Sequence, residues 1–261
     1  MRQPNNVYVK KMNLKPFPPP EDYTLEELQE RLITLKESNE LPVIGKERNA
    51  AIGESLEYYL GLKKNISKRA DWSNYEIKTL SNNRRKIRLF SIKWEYRSGY
   101  SARELVLDYG KEHFSKHLQK PVVRLDWKIP YTKNPINKLY YKIEGNEELG
   151  LFYKKKKLAK SSINKLKQHF SNKMKKLVLV ETKNESRERK QFFTVKSAML
   201  YENTSFEQFL FAIKNNLIEM SFALMLIEPG TENENFNNKS STLEISSTKL
   251  NCIYNLNSKI C

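Results

Sequence analysis

Leu25, Leu28, Leu32 and Leu35 recur at helical spacing behind Thr24, and Glu27 completes a capping box. The pattern predicts a first helix there. Ahead of it, residues 1–20 end in Pro16-Phe17-Pro18-Pro19-Pro20 and read as an extended N-terminal arm. A second helix is expected from about Arg48 to Leu60, with Ile52, Leu56, Tyr59 and Leu60 inward and Gly61 as its stop. Glu57 lies on the flank of that stripe. The period then shortens to two. Tyr75, Ile77 and Thr79 share one face of a strand, so Glu76 and Lys78 share the other.

A polar turn, Ser81–Arg85, leads to a second strand over Ile87–Trp94, and Ser101–Tyr109 reads as a helix stopped by Gly110. Val122–Trp127 and Lys138–Ile143 read as extended. Ser162–Lys176 is an amphipathic helix, with Ile163, Leu166, Phe170 and Met174 on one face and lysines on the rest. Leu177–Val180 and Phe192–Val195 read as strands. Thr204, with Glu207 three residues on, predicts a capped helix to about Leu217. Ser221–Ile227 has the apolar content of a central strand, residues 229–241 read as a polar loop, and Thr242–Ser246 as a last strand. Helices before and after a mixed sheet argue α/β.

The 261 residues are enough to bury a sizeable core, in one large domain or two modest lobes. With 47 Lys and Arg against 30 Asp and Glu, the formal charge is +17, which favours polyanionic partners such as DNA or RNA. No run of eighteen apolar residues marks a membrane span, and Met1–Lys15 lacks the apolar core of a secretory signal. Cys252 and Cys261 make neither a disulfide framework nor a zinc site. A cytoplasmic location is expected.

The candidate chemistry lies in Ala70-Asp-Trp-Ser-Asn-Tyr-Glu-Ile-Lys-Thr79. Asp71, just before the strand, can swing its carboxylate toward the face that carries Glu76 and Lys78. Two carboxylates can hold Mg²⁺, and an ammonium beside them can position a water. That combination cuts phosphodiesters. Upstream, Ala51-Ile-Gly-Glu-Ser-Leu-Glu57 puts a third carboxylate on a helix, fourteen residues before Asp71.

These residues together, Ile-Gly-x-x-Leu-Glu, then Asp, then Glu-Ile-Lys-Thr, resemble the PD-(D/E)XK nuclease superfamily. Within it, the chain is similar to the branch that holds the mismatch-repair enzyme MutH and the MvaI–BcnI restriction endonucleases. The short step from Asp71 to Glu76 is closer to the MvaI side. The resemblance implies a restriction-endonuclease-like α/β core, a mixed sheet flanked by helices, in two lobes around a DNA-binding cleft. Residues 21–125 would form the catalytic lobe and 126–261 the DNA-recognition lobe. Asp71 and Glu76 would bind the metal with the Ile77 carbonyl, Lys78 would orient the attacking water, and Glu57 would hold a metal-bound water. The implied reaction is Mg²⁺-dependent, sequence-specific cleavage of double-stranded DNA, leaving 5′-phosphate and 3′-hydroxyl ends. A companion DNA methyltransferase and a monomeric enzyme would accompany it. A nicking endonuclease of mismatch repair and a non-catalytic basic nucleic-acid-binding protein remain the alternatives.

Further DNA contacts are expected at two places. Arg84, Arg85, Lys86 and Arg88 could clamp phosphate beside the site, or form a solvated basic turn. Asn233, Asn235, Asn237 and Asn238 lie in the 229–241 loop, and asparagine can pair bidentately with adenine. Lys154–Lys157 reads as a non-specific charge cluster. His113 and His117 stand four apart and could share a helix face, but neither they nor His169 have partners at metal-ligand spacing.

Overall fold

A computed structural model describes residues 15–44, 51–62, 70–81, 85–187 and 190–261. The start of the N-terminal arm and of the second helix, and Arg84, lie outside the described residues. The helices are α1 (Leu25–Glu37), α2 (Ala51–Tyr59), α3 (Ala102–Tyr109), α4 (Ile163–Lys173) and α5 (Phe206–Lys214). In the first half the strands are β1 (Leu41–Pro42), β2 (Tyr75–Ser81), β3 (Lys86–Ile92), β4 (Glu95–Tyr96), β5 (Lys111–Ser115), β6 (Lys120–Leu125) and β7 (Lys128–Ile129). They continue with β8 (Leu139–Glu144), β9 (Glu148–Tyr153), β10 (Lys156–Ser162), β11 (Lys176–Arg187), β12 (Lys190–Glu202), β13 (Ile218–Ile227), β14 (Asn235–Ser246) and β15 (Leu256–Lys259). No helix among the described residues is long and apolar enough to cross a membrane.

The strands form three sheets among the described residues. The first runs β1-β12-β11-β2, with β15 also on β12; the second β3-β14-β13-β6-β5, with β7 on β13; the third β4-β10-β9-β8. The first sheet positions the site. Its β2 and β11 pair in parallel, Glu76 opposite Leu177 and Lys78 opposite Leu179. A parallel pair needs a long crossover, and here the crossover carries the whole third sheet and β3, β5, β6 and β7 of the second. Leu177–Val180 are all buried, as befits a strand covered on both faces. Val178 and Val180 pack with Leu28, Leu32, Leu56 and Trp72 in one core. Leu177 and Leu179 pack in a second, larger core with Phe170, Phe209 and Phe222.

Several sequence expectations shift. The polar 229–241 stretch is a loop only at its start, because β14 begins at Asn235 and pairs Asn235 with Ile227 and Asn237 with Met225. Asparagine has low strand propensity, but the apolar β13 beside it dictates the pairing. His113 lies on β5, in a hairpin with β6, so it shares no helix face with His117. The last helix is capped by Ser205 rather than Thr204, with Gln208 closing the capping box. The 125/126 boundary does not separate the sheets, since the sheet holding Glu76 takes β11 and β12 from beyond it.

The arm, α1, α2 and the turn before β2 meet at Arg31. Its guanidinium donates to Pro18 O at 2.7 Å, Leu60 O at 2.6 Å and Glu27 Oε1 at 2.5 Å. It also lies over the Phe17 and Trp72 rings, 5.1 and 5.4 Å from their centroids. Gly61 passes so close, at φ +80°, that a Cβ there would come within 2.3 Å of Pro18 O. Arg31→Ala is expected to cost about 3 kcal/mol, because it strands a buried carbonyl at Leu60, a part-buried one at Pro18 and the Glu27 carboxylate. Urea unfolding of the two chains measures it.

Candidate active site

Trp72 sets the entry to β2. Its ring is fully buried and its Nε1 donates to Thr24 O at 2.9 Å. Trp72 and Tyr75 exchange backbone hydrogen bonds of 3.0 and 2.7 Å, folding the chain into a tight turn. The turn brings Asp71 back over the strand, where its Oδ2 accepts the Ile77 N–H at 3.1 Å. Apolar packing thus fixes a carboxylate against the backbone of the strand that carries Glu76.

Glu76 is 0 % exposed. Strand alternation puts Lys78 on its face, and the Lys78 ammonium donates to Glu76 Oε1. A second ammonium comes from the end of α4: Lys173 Nζ lies 3.4 Å from both Glu76 oxygens. Burial pushes the Glu76 carboxyl above its ordinary value, the two lysines oppose that, and Asp71 adds to it. Just past α4, Met174 O accepts the buried Tyr254 hydroxyl at 2.9 Å. Burial, and then the charge of Glu76, raise the pKa of that phenol.

Glu57 belongs to the same electrostatic unit. Its helix packs on β2, with Gly53 so near that a Cβ there would sit 3.5 Å from Thr79 Oγ1. Burial first, then the charges of Asp71, Glu76 and Glu54, push the Glu57 carboxyl from 4.5 up to about 7, against the pull of Lys78. The Asp71 charge thus raises the proton affinity of both Glu57 and Glu76, and carboxylates gathered this closely make a site that attracts cations. Among the described residues no three His, Cys, Asp or Glu side chains close into a finished metal cage. The donor types, carboxylates with a backbone carbonyl at Ile77, still fit a hard divalent cation.

The other expected contact residues are placed elsewhere. Lys86 pairs with Glu219, and Arg88 Nε lies 3.2 Å from Glu244 Oε1. Arg85 is exposed and its carbonyl accepts the Ser247 N–H at 2.8 Å. Asn233 is an exposed turn residue, and Asn235, Asn237 and Asn238 lie on β14. Between them Glu234 takes a two-pronged contact from Arg103 at 2.6 and 2.8 Å. That contact and the Gly230 N–H hold its carboxyl down at about 2. Lys157, in the lysine run, is held by Glu144 at 2.7 Å and by Glu148. Lys173 is the residue that sequence reasoning missed. It reads as one more lysine on the wet face of an amphipathic helix, and only its place one residue before the buried Met174 hints otherwise.

Because the folded chain keeps the Glu57 proton up to about pH 7 while the unfolded chain loses it near 4.5, folding holds more protons in that window. Stability without divalent ions therefore falls as pH rises from about 4.5 to 7. Glu57→Gln is expected to flatten this slope in urea midpoints measured against pH. An unchanged slope would place the titration elsewhere.

The model of the MvaI/BcnI restriction endonuclease family matches residues 29–254. No curated protein matches by sequence. Among solved structures, the complex of restriction endonuclease MvaI with its cognate DNA substrate superposes with a TM-score of 0.71 at 17% identity, over 93% of this chain and 100% of that one. The DNA-free MvaI structure aligns with a TM-score of 0.48 at 15% identity, over 94% of this chain and 100% of that one. The first likeness shows a shared α/β fold. The family match runs from α1 to the buried Tyr254 and spans Glu57, Asp71, Glu76 and Lys78, so the chain belongs to the MvaI/BcnI restriction endonuclease family.

Proposed function

We propose that the chain is a Mg²⁺-dependent type II restriction endonuclease that hydrolyses double-stranded DNA at a specific sequence. It leaves 5′-phosphate and 3′-hydroxyl ends. The observation that carries this is the buried Glu76 carboxylate, in contact with Lys78 and one strand residue from the Asp71–Ile77 hydrogen bond. Asp71, Glu76 and the Ile77 carbonyl would hold the cation. When bound, it supplies positive charge at the scissile phosphate and makes water a stronger acid.

The chain's own residues do the rest. Lys78 orients the attacking water and offsets charge that grows on the phosphorane oxygens. Lys173 keeps Glu76 ionised as Lys78 turns toward substrate. Glu57, with a carboxyl near 7, can take a proton at neutral pH. The first sheet, with α1 and α2, forms the catalytic lobe, and the second sheet belongs to a DNA-recognition lobe. The excess of cations draws DNA in from a distance. Host DNA in the cytoplasm is protected by a companion methyltransferase, and a single subunit makes the cut.

Unmethylated plasmid incubated with the full chain and Mg²⁺ is expected to give discrete fragments. Lys78→Ala is expected to slow cutting by at least about 10²-fold. Failure to cut any DNA with Mg²⁺ or Mn²⁺ would sink the reading and leave a non-catalytic binder. Cutting of one strand only, stimulated by a partner ATPase, would point to a repair nickase instead.

Removing the Lys173 ammonium leaves Glu76 with less opposing charge, so its proton affinity rises further. For Lys173→Ala the acid limb of the cleavage rate is expected to move to higher pH, with the DNA sequence cut unchanged. A pH–rate profile of both proteins checks this, and coincident acid limbs would exclude the role.

A further inference from the structure

Three irregularities in neighbouring strands of the second sheet meet at one place. The β13–β14 register shifts between Phe222 and Leu224, and the β14–β3 register shifts between Leu243 and Glu244. On the other side of β13, pairing passes from β6 at Leu224–Ile227 to β7 at Met220–Ser221, leaving Asp126 and Trp127 between the two. There Phe222 N donates to Trp127 O at 3.0 Å. Bulges bend strands and re-aim side chains, and they gather beside functional sites. Here they open a cavity of about 280 Å³, with Arg88, Glu244, Asp126, Trp127, Ser221 and Thr242 in its lining.

The charges around this cavity are matched rather than massed. Arg88 pairs with Glu244, Lys128 with Glu219 at 3.0 Å, and Arg124 with Asp126 at 2.6 Å. Ser221 and Thr242 share a hydrogen bond of 2.9 Å across the strands. A surface that only tracks phosphate carries cations without carboxylates beside them, because each carboxylate repels the backbone. Alternating donors and acceptors suit base edges, which present both. Glu244 takes the Nε edge of Arg88 and is itself only 16% exposed, whereas the Arg88 side chain is 73% exposed. A guanidinium anchored at Nε turns its two-pronged terminal edge outward, the shape that fits guanine O6 and N7.

We propose that this cavity reads one base pair in the major groove, with Arg88 forking to guanine and Glu244 fixing the arginine's direction. The proposal rests on the reading of the chain as a DNA-cutting enzyme and adds where part of its sequence preference resides. It is tested by selecting bound duplexes from a randomised pool with Ca²⁺, and mapping cleavage with Mg²⁺ in parallel. The proteins compared are the unsubstituted chain, Arg88→Ala and Arg88→Lys. Arg88→Ala is expected to lose about 5- to 150-fold of discrimination at one G·C position and keep the others. Arg88→Lys, which keeps the charge without the fork, is expected to lose most of it too. Unchanged preference at every position would overturn the proposal. So would uniform weakening on all sequences with a salt slope lower by about one, which marks a phosphate contact. A parent protein that selects no sequence would overturn it as well. A parent that selects a sequence but never cuts would sink the nuclease reading, while the variants would still decide the role of Arg88.

Discussion

A carboxylate with no exposed surface needs cations to remain charged, and Glu76 has two. Lys78 and Lys173 both contact it, one from its own strand and one from a helix 97 residues on. An unpaired buried carboxylate would take up a proton instead. Much of the architecture serves this contact. The parallel β2–β11 pairing sets α4 beside β2, and α4 delivers Lys173. Both cores press on that sheet from opposite faces. Replacing such an ionic contact with apolar side chains is often neutral or stabilising for a fold. Its presence here therefore fits the proposed role of Glu76 in chemistry better than a role in stability.

What the sequence made legible was local. Asp71, Glu76 and Lys78 lie within eight residues, so strand alternation and one turn suffice to bring them together. Glu57 followed from a helix stripe. The rest depended on distant pairings. Apart from the buried Met174 beside it, nothing near Lys173 distinguishes it from Lys165 or Lys167, which also lie on α4. The asparagines of β14 read as loop because their strand character is supplied by β13. The helix cap moved by one residue because Thr204-Ser205 offers two hydroxyls, and Glu207-Gln208 two side chains to close the box. Arg88 read as one of a basic run, and its partner Glu244 lies 156 residues away.

The sheets divide the work by geometry. The first is regular where it bears Glu76 and Lys78, with β2 and β11 in unbroken register from Tyr75 to Ser81. Regular strands fix side chains tightly, which suits charges that must keep their separation. The second is broken at the β13–β14 and β14–β3 pairings and where β13 passes from β6 to β7, which turns its side chains in more varied directions. Within the layer of the second sheet, the Arg103–Glu234 contact ties the β13–β14 turn to α3.

The strand order of the first sheet also bears on when the enzyme can act. Its members span β1 at Leu41 to β15 at Lys259, and the Glu76 surroundings include Lys173 and Tyr254. A growing chain on the ribosome that has released Glu57, Asp71, Glu76 and Lys78 still lacks the β11 that pairs with their strand. Sheets joined by such distant segments form late and slowly. The four residues proposed for the chemistry are thus made well before the segments that surround them. In a family of DNA-cutting enzymes, this ordering keeps Glu76 from its counter-charge on α4 and from Tyr254 until those later segments have been made.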